Sequence, residues 1–407
     1  MRPILHSAIA TSFCLLASLT EPGCESSLPT REMPAGNCVQ ESDCASSGQV
    51  CKAYQCVACQ VNSDCTSQIC DAYGDLGGAG RCVTPSQTYF IDNNDSNQEF
   101  CGSADGSAKH PFCTIAEALS KLTASTGSGP TFLRVQASPN AYGLPALAAL
   151  PSQLVLTGPG SLKPGQAASI IADTDDGLLQ ISGSSKVVID GFVLSSAGLN
   201  AGPGTTITLR RSLLRDLASG AVFTNSTVTM DRMQFSSNYA GLTFDGGTLQ
   251  LSNSVFSANS IPEGQSLLTL SGGSGVVQFS TFYKNMLASP ASQVVSCGKS
   301  STVSIKNSIV AMNGVAQQLA PSCTVVAGSL VVGSGDSAAG QIKQEPTFVD
   351  PAGLDLRLKP QDPVNTQYVI DKAVNVSPTD KNTDHDFYGS PRPQGSGYDI
   401  GAVEFLP

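Results

Sequence analysis

From Val187 onward, apolar and polar positions alternate in one recurring scheme. "VTMDRMQFSSN" (228–238) returns 21 residues later as "LQLSNSVFSAN" (249–259). "VVIDGFVLSSA" from Val187, "ITLRRSLLRDL" from Ile207, "GVVQFSTFYKN" from Gly275, "VSIKNSIVAMN" from Val303 and "CTVVAGSLVVG" from Cys323 extend the series. Their third positions, Ile189, Leu209, Met230, Leu251, Val277, Ile305 and Val325, are spaced by 20, 21, 21, 26, 28 and 20 residues. A period in this range marks a solenoid, each unit burying its apolar face only against its neighbours.

Within a unit, Val228 and Met230 alternate with polar residues, and so do Met233 and Phe235. The odd step from Met230 to Met233 would swap faces on a straight strand, so the chain must turn a corner there. Asp190-Gly191, Asp231-Arg232, Ser252-Asn253 and Lys306-Asn307 occupy that corner and are largely turn formers. Phe279 stands at the same place and fits poorly, which suggests an alignment slip. Two short strands and a corner repeating near every 22 residues describe a coil of a parallel β-helix, right-handed by the crossover rule. Asn238, Asn259, Asn285 and Asn313 then stack at a second corner, where Asn tolerates left-handed backbone and amides can bond from coil to coil. A β-sandwich, the competing architecture, would not keep four Asn in register.

Upstream, "FLRVQASPNAYGL" and "QLVLTGPG" read as earlier coils, and "PFCTIAEALSKL" (111–122) as an amphipathic helix capping the open end. Roughly nine coils at ~4.8 Å make a rod of about 43 Å. The predicted fold class is therefore all-β, a right-handed parallel β-helix over 88–407.

Composition adds the compartment. Residues 1–23 have the form of a signal peptide: Arg2, an apolar run from Ile4 to Leu19, then Pro22-Gly23. Gly23-Cys24 resembles a bacterial lipoprotein signal, although Glu21 replaces the usual Leu; Cys24 is the expected lipidation site, followed by a linker over 24–37. A lipid on Cys24 would be the sole membrane attachment, at the outer membrane or cell surface; without it the protein is secreted. Beyond Cys14 and Cys24, 12 of the 14 Cys remain, an even number that suits an oxidising compartment. Net charge −10 argues against a nucleic-acid partner.

Eight of those Cys form a module over 38–83, in which "CVQESDC" is repeated as "CQVNSDC". Cys38, Cys44, Cys51 and Cys56 make one unit; Cys59, Cys65, Cys70 and Cys82 make the other. Each unit is too small for a core and needs two disulfides, with nine pairings open if bonds stay within units. Zinc at Cys56-x-x-Cys59 is the alternative, weakened by the single short spacing. Cys101 with Cys113, bracketing the cap, and Cys297 with Cys323, one coil apart, are the other expected pairs.

The module resembles small Cys-rich repeats of bacterial surface proteins and, loosely, the Dickkopf N-terminal module, which implies a stalk or protein-binding knob. "DGSAKHPFCTIAEAL" resembles the opening of bacterial pectate-lyase-like β-helix proteins. "DHDFYGSPRPQGSGYDIGAVEF" is similar to the tail of the same group, of the choice-of-anchor type. The resemblance implies fold and surface location more than activity.

Lyases of this fold use calcium-binding carboxylates and an Arg or Lys base on one outer sheet, the cation removing the proton beside the uronate. Asp190, Arg210, Arg211, Asp231 and Arg232, at one corner of three consecutive coils, are the candidate cluster; the alternative is a solvated ion-pair ladder on an exposed corner. "DKNTDHD" offers Asp380, Asp384 and Asp386 to calcium, the one cofactor the sequence suggests, and "DNNDSN" (92–97) is a second acidic loop. Asp399, Glu404 and Arg392 read as a structural lock of the C-terminal edge. The leading functional expectation is a non-catalytic binding or structural role at the envelope toward a polysaccharide or a protein. The rival is a lyase or other carbohydrate-active enzyme acting on acidic polysaccharide.

Overall fold

The computed structural model describes residues 38, 43–44 and 47–406, apart from 61, 76–77, 95–100, 102, 124–129, 149, 151–152, 161–165, 316, 326–327, 333–343, 352, 354, 375 and 377–382. The signal, Cys24 and Asp380 lie outside the described residues. No described helix is long and apolar enough to cross a membrane.

The chain winds into a β-helix with three parallel sheets of ten, nine and seven strands. The register runs Ile189, Leu209, Met230, Leu251, Val277, Ile305, Val325, the positions aligned in the sequence. All-parallel pairing in these sheets excludes the sandwich. Phe279 causes no slip, since Val277 stays opposite Leu251. The slip falls in the last coil, where Leu330 rather than Ser329 faces Ile309. Each coil has a third strand that the two-strand reading lacked: Ala221–Thr224, Leu242–Asp245, Leu268–Leu270 and Val295–Cys297 add alternate apolar side chains to the interior. The longer 26- and 28-residue periods include an extra strand pair, Ser260–Ile261 with Met286–Leu287, which leaves the stack intact.

Two corners carry the left-handed backbone. The first has Arg211, Arg232, Asn253, Phe279 and Asn307 at φ 47–52°. The second has Ser237, Ala258, Lys284 and Met312, each one residue before the stacked Asn. The Asn are therefore not the left-handed residues; they are chosen for their amides. Asn238 Nδ2 donates to Asn259 Oδ1 at 2.9 Å, Asn259 to Asn285 at 2.8 Å and Asn285 to Asn313 at 2.8 Å. Gln318 Oε1 ends the row by accepting from Asn313 at 3.0 Å. A second row, of serine hydroxyls, follows the first corner: Ser254, Ser280, Ser308 and Ser329 each accept a backbone N–H from the preceding coil. Phe235, Phe256 and Phe282 follow one another in successive coils, with centroids 5.4 and 4.5 Å apart, the first pair tilted and the second stacked.

Helix α1 (Ile115–Thr123) closes one end, burying Ile115 and Ala118 in the core. The tail forms an antiparallel pair, Phe348–Asp350 with Asp355–Leu358, then helix α2 (Pro363–Tyr368). It covers the apolar outer face of the nine-stranded sheet at Val255, Tyr283 and Ile309. Arg392 is the pin: its guanidinium meets Glu404 at 3.0 Å, donates to the carbonyls of Asp399 and Gly401, and lies 4.7 Å from the Phe279 ring centroid. Phe279 occupies a polar corner because the tail covers it.

The module holds the disulfides Cys38–Cys51, Cys44–Cys56, Cys59–Cys70 and Cys65–Cys82, first to third and second to fourth in both units. Cys56 and Cys59 belong to different bridges, which excludes a zinc site there. Cys101–Cys113 and Cys297–Cys323 are also bonded.

Candidate functional site

The corner singled out in the sequence does assemble. Asp190, Arg210 and Asp231 end the strands Lys186–Asp190, Thr206–Arg210 and Thr227–Asp231, which pair in succession. Arg210 Nε and Arg211 Nε donate to the two oxygens of Asp190 at 3.0 and 2.6 Å. Arg232 Nε reaches Asp231 at 3.1 Å, and Asn253 Nδ2 bonds the other oxygen of Asp231 at 2.8 Å.

This corner is not an exposed ladder, because the Cys-rich module packs against it. Ile69 and Val83 of the module pack on Phe132, Val155 and Val188, outward-facing residues of the first coils. The loop between Cys70–Asp71 and Arg81–Cys82 is shaped by Asp71, whose Oδ1 accepts the N–H groups of Gly74 and Asp75. That shape presents Tyr73 and Asp75 to the corner. The Arg210 guanidinium stacks 3.8 Å from the Tyr73 ring centroid and bonds Asp75 at 2.5 Å, and Arg232 donates to the Tyr73 hydroxyl. Arg211 and Arg232 each stand 5.4 Å from the same ring. The module is thus docked on the flank of the solenoid.

The electrostatics fit a packed interface. Burial tends to raise the Asp190 pKa, but Arg211 and Arg210 bring it below the ordinary range. Burial tends to lower that of Arg211, but the Asp190 charge raises it, opposite to what a proton-abstracting cation needs. Arg232 is lowered by burial, with Asp384 and Asp386 opposing. Burial pushes Asp231 up to about 6 despite its Asn253 and Ser252 bonds, and raises Asp75 against Arg210.

The calcium candidates separate. Asp386 is buried and accepts the N–H groups of Ser390 and Glu404, whereas Asp384 is exposed and meets His385 Nδ1 at 2.5 Å. In the other acidic loop, Asp92 accepts from its neighbour Asn94. Asp399 accepts the N–H groups of Asp371 and Phe405 and, with Glu404 and Arg392, holds the tail as expected of a lock.

Sequence reasoning missed the outer face of the ten-stranded sheet. Thr206, Thr227, Thr248, Ser274 and Thr302 occupy one register position on five successive strands. Two residues on in each strand come Thr208, Thr229, Gln250, Val276 and Ser304. The signal was present as the polar half of each alternation, "TIT", "TVT" and "TLQ". A cleft of about 330 Å³ opens where the module stops, lined by Tyr73, Thr208, Thr229, Asp384 and His385 and by Arg210, Asp231 and Arg232 of the cluster. It shares Thr229 with a groove of about 340 Å³ over Thr227, Thr248, Gln250, Val276 and Lys306, so the two are continuous. A larger hollow of about 780 Å³ lies beside the tail, but its charged groups are already engaged, Asp355 with Arg357, Glu404 with Arg392 and Asp386 with the N–H groups of Ser390 and Glu404.

A search against protein families finds no matching model, and a search of curated proteins finds no match; the likeness drawn from the cap and tail motifs rests on those motifs and the fold.

Proposed function

We propose that this is an exported surface protein, tethered through a lipid on Cys24, whose β-helix binds an extended polysaccharide along the ten-stranded sheet without transforming it. Six disulfides among the described residues suit an oxidising, extracellular setting. The observation that carries the binding reading is the continuous polar groove that starts at Tyr73 and runs over the Thr-lined face. Against the lyase reading, Arg210 and Arg211 are held on Asp190, and Arg232 on Asp231 and Tyr73, so each candidate base already has an anionic or hydroxyl partner.

The test is to incubate the mature protein with acidic and neutral polysaccharides, with and without calcium, recording retention on the polymer and unsaturated-uronate absorbance. Retention on at least one polymer without an absorbance rise is expected. A rise that Arg211→Ala abolishes would make the protein a lyase, and absence of retention on every polymer would overturn the binding role.

A further inference from the structure

The groove has a chemical character that narrows its ligand. The sheet face it crosses repeats coil by coil: one rank reads Thr206, Thr227, Thr248, Ser274, Thr302, all hydroxyls in register on consecutive strands, and Thr227 and Thr248 of that rank line the groove. Side chains in these strands alternate between buried and outward, so the hydroxyls face out while Val228, Leu249 and Val303 face the core. Hydroxyls and the Gln250 amide both donate and accept, which suits sugar hydroxyls. Thr methyls and the Val276 side chain offer the apolar contact that a sugar's C–H face needs.

The charges at the module end are already matched. Asp190 takes Arg210 and Arg211, Asp75 takes Arg210, and Asp231 takes Arg232. The groups facing the cleft beyond them are Asp384 and His385, and Lys306 lines the far end. In the cleft Arg210 and Arg232 stand against Asp231 and Asp384, so a polymer carrying a carboxylate on every unit would find no surplus of cations there to match it. A run of uronates would lose hydration at such a site without gaining counter-ions, which is how a site rejects a near relative of its ligand.

Geometry adds a repeat. Strands in a sheet lie about 4.8 Å apart, close to the length one β-linked hexose adds to an extended glycan. A chain lying along the solenoid axis would therefore present one sugar to each coil, and a chain lying along a strand would leave the groove after three residues or so.

We infer that the groove binds a neutral glycan of regular repeat, running along the coil axis from the Tyr73 end toward Lys306, one sugar per coil. This rests on the polysaccharide-binding reading and goes further in fixing the charge class and direction of the ligand.

The experiment measures binding of the full mature chain to soluble neutral glycans (a β-glucan, a xylan and a mannan) and to polygalacturonate and alginate, at low and high sodium chloride. The inference requires that a neutral glycan bind at least tenfold more tightly than either uronate polymer, with affinity changing less than about twofold between the two salt conditions. The double variant Thr227→Val, Thr248→Val keeps β-branched strand residues and removes two hydroxyls, and should weaken neutral binding roughly tenfold. Thr229→Lys, on the same outward rank as Gln250, should move preference toward the uronate polymers. Tightest binding to a uronate polymer, falling with salt, would overturn the inference and leave the polysaccharide reading intact. Unchanged affinity in the double variant, with neutral binding preserved, would place the glycan elsewhere and overturn it too. No binding to any polymer would bring down the underlying reading with it.

Discussion

Asn259 shows how much one side chain carries in a stacked fold. Its Oδ1 accepts both the backbone N–H and the Nδ2 of Asn238, while its own Nδ2 donates to Phe235 O and Asn285 Oδ1. All of these groups are buried, so water cannot replace a lost partner. Replacing Asn259 with Ala strands several of them at ~1–3 kcal/mol each, and the variant is expected to lose about 3 kcal/mol or more, read from urea unfolding midpoints. Asn259→Ser should lose less, because a hydroxyl restores an acceptor. The asparagine row was legible in the sequence because the period returns the residue to one place. The equivalent row at Ser254, Ser280 and Ser308 was equally regular in the chain, yet serine abounds in every turn and carries little signal. The left-handed residues were misassigned by one position, since Ala258 and Lys284 are poor advertisements for positive φ.

At the scale of elements, the apolar interior was legible and its coverings were not. Alternation placed the aligned inward residues of the first two strands from Ile189 to Ile305, because register and pattern are the same fact in a solenoid. The third strand escaped because connecting lengths vary around it. Phe279 looked anomalous because its partner, Tyr398, belongs to a tail more than a hundred residues away. That tail also predicts a pH response. Burial and the neighbouring Glu404 push Asp399 up to about 7, against Arg392 and two backbone donors. Its unfolded value is near 4, so between about 4 and 7 the folded chain holds a proton that the unfolded chain has released. Stability therefore falls as pH rises through that window, by up to about 1.4 kcal/mol per pH unit. Asp231 acts in the same direction but only up to about 6. Between pH 6 and 7 the slope is thus expected to flatten in Asp399→Asn, as measured by melting temperature across the series. A parent and variant with parallel profiles would place the tail's proton elsewhere.

The whole molecule is decided by a contact that sequence proximity conceals. The Arg/Asp cluster was recognisable, but its burial depends on Asp75, 135 residues before Arg210. No periodicity connects the two, because the module folds on its own disulfides and meets the solenoid only in space. Docking uses apolar burial of Ile69 and Val83, one ion pair from Asp75 and the Tyr73 ring beneath three guanidinium groups. Cation–π contacts of this partly desolvated kind contribute about 1 kcal/mol or more each. Tyr73→Ala should loosen the module without unfolding either part, since the Cys59–Cys70 and Cys65–Cys82 bridges that frame its loop remain. Hydrogen exchange should then accelerate around residues 208–211 and 229–232, while amides near Asn259 and Asn285 keep their protection. Exchange unchanged at both places would show that the apolar contact alone holds the module. Acceleration throughout would make the module part of the solenoid's own stability, and the groove it closes would then be inseparable from the fold that carries it.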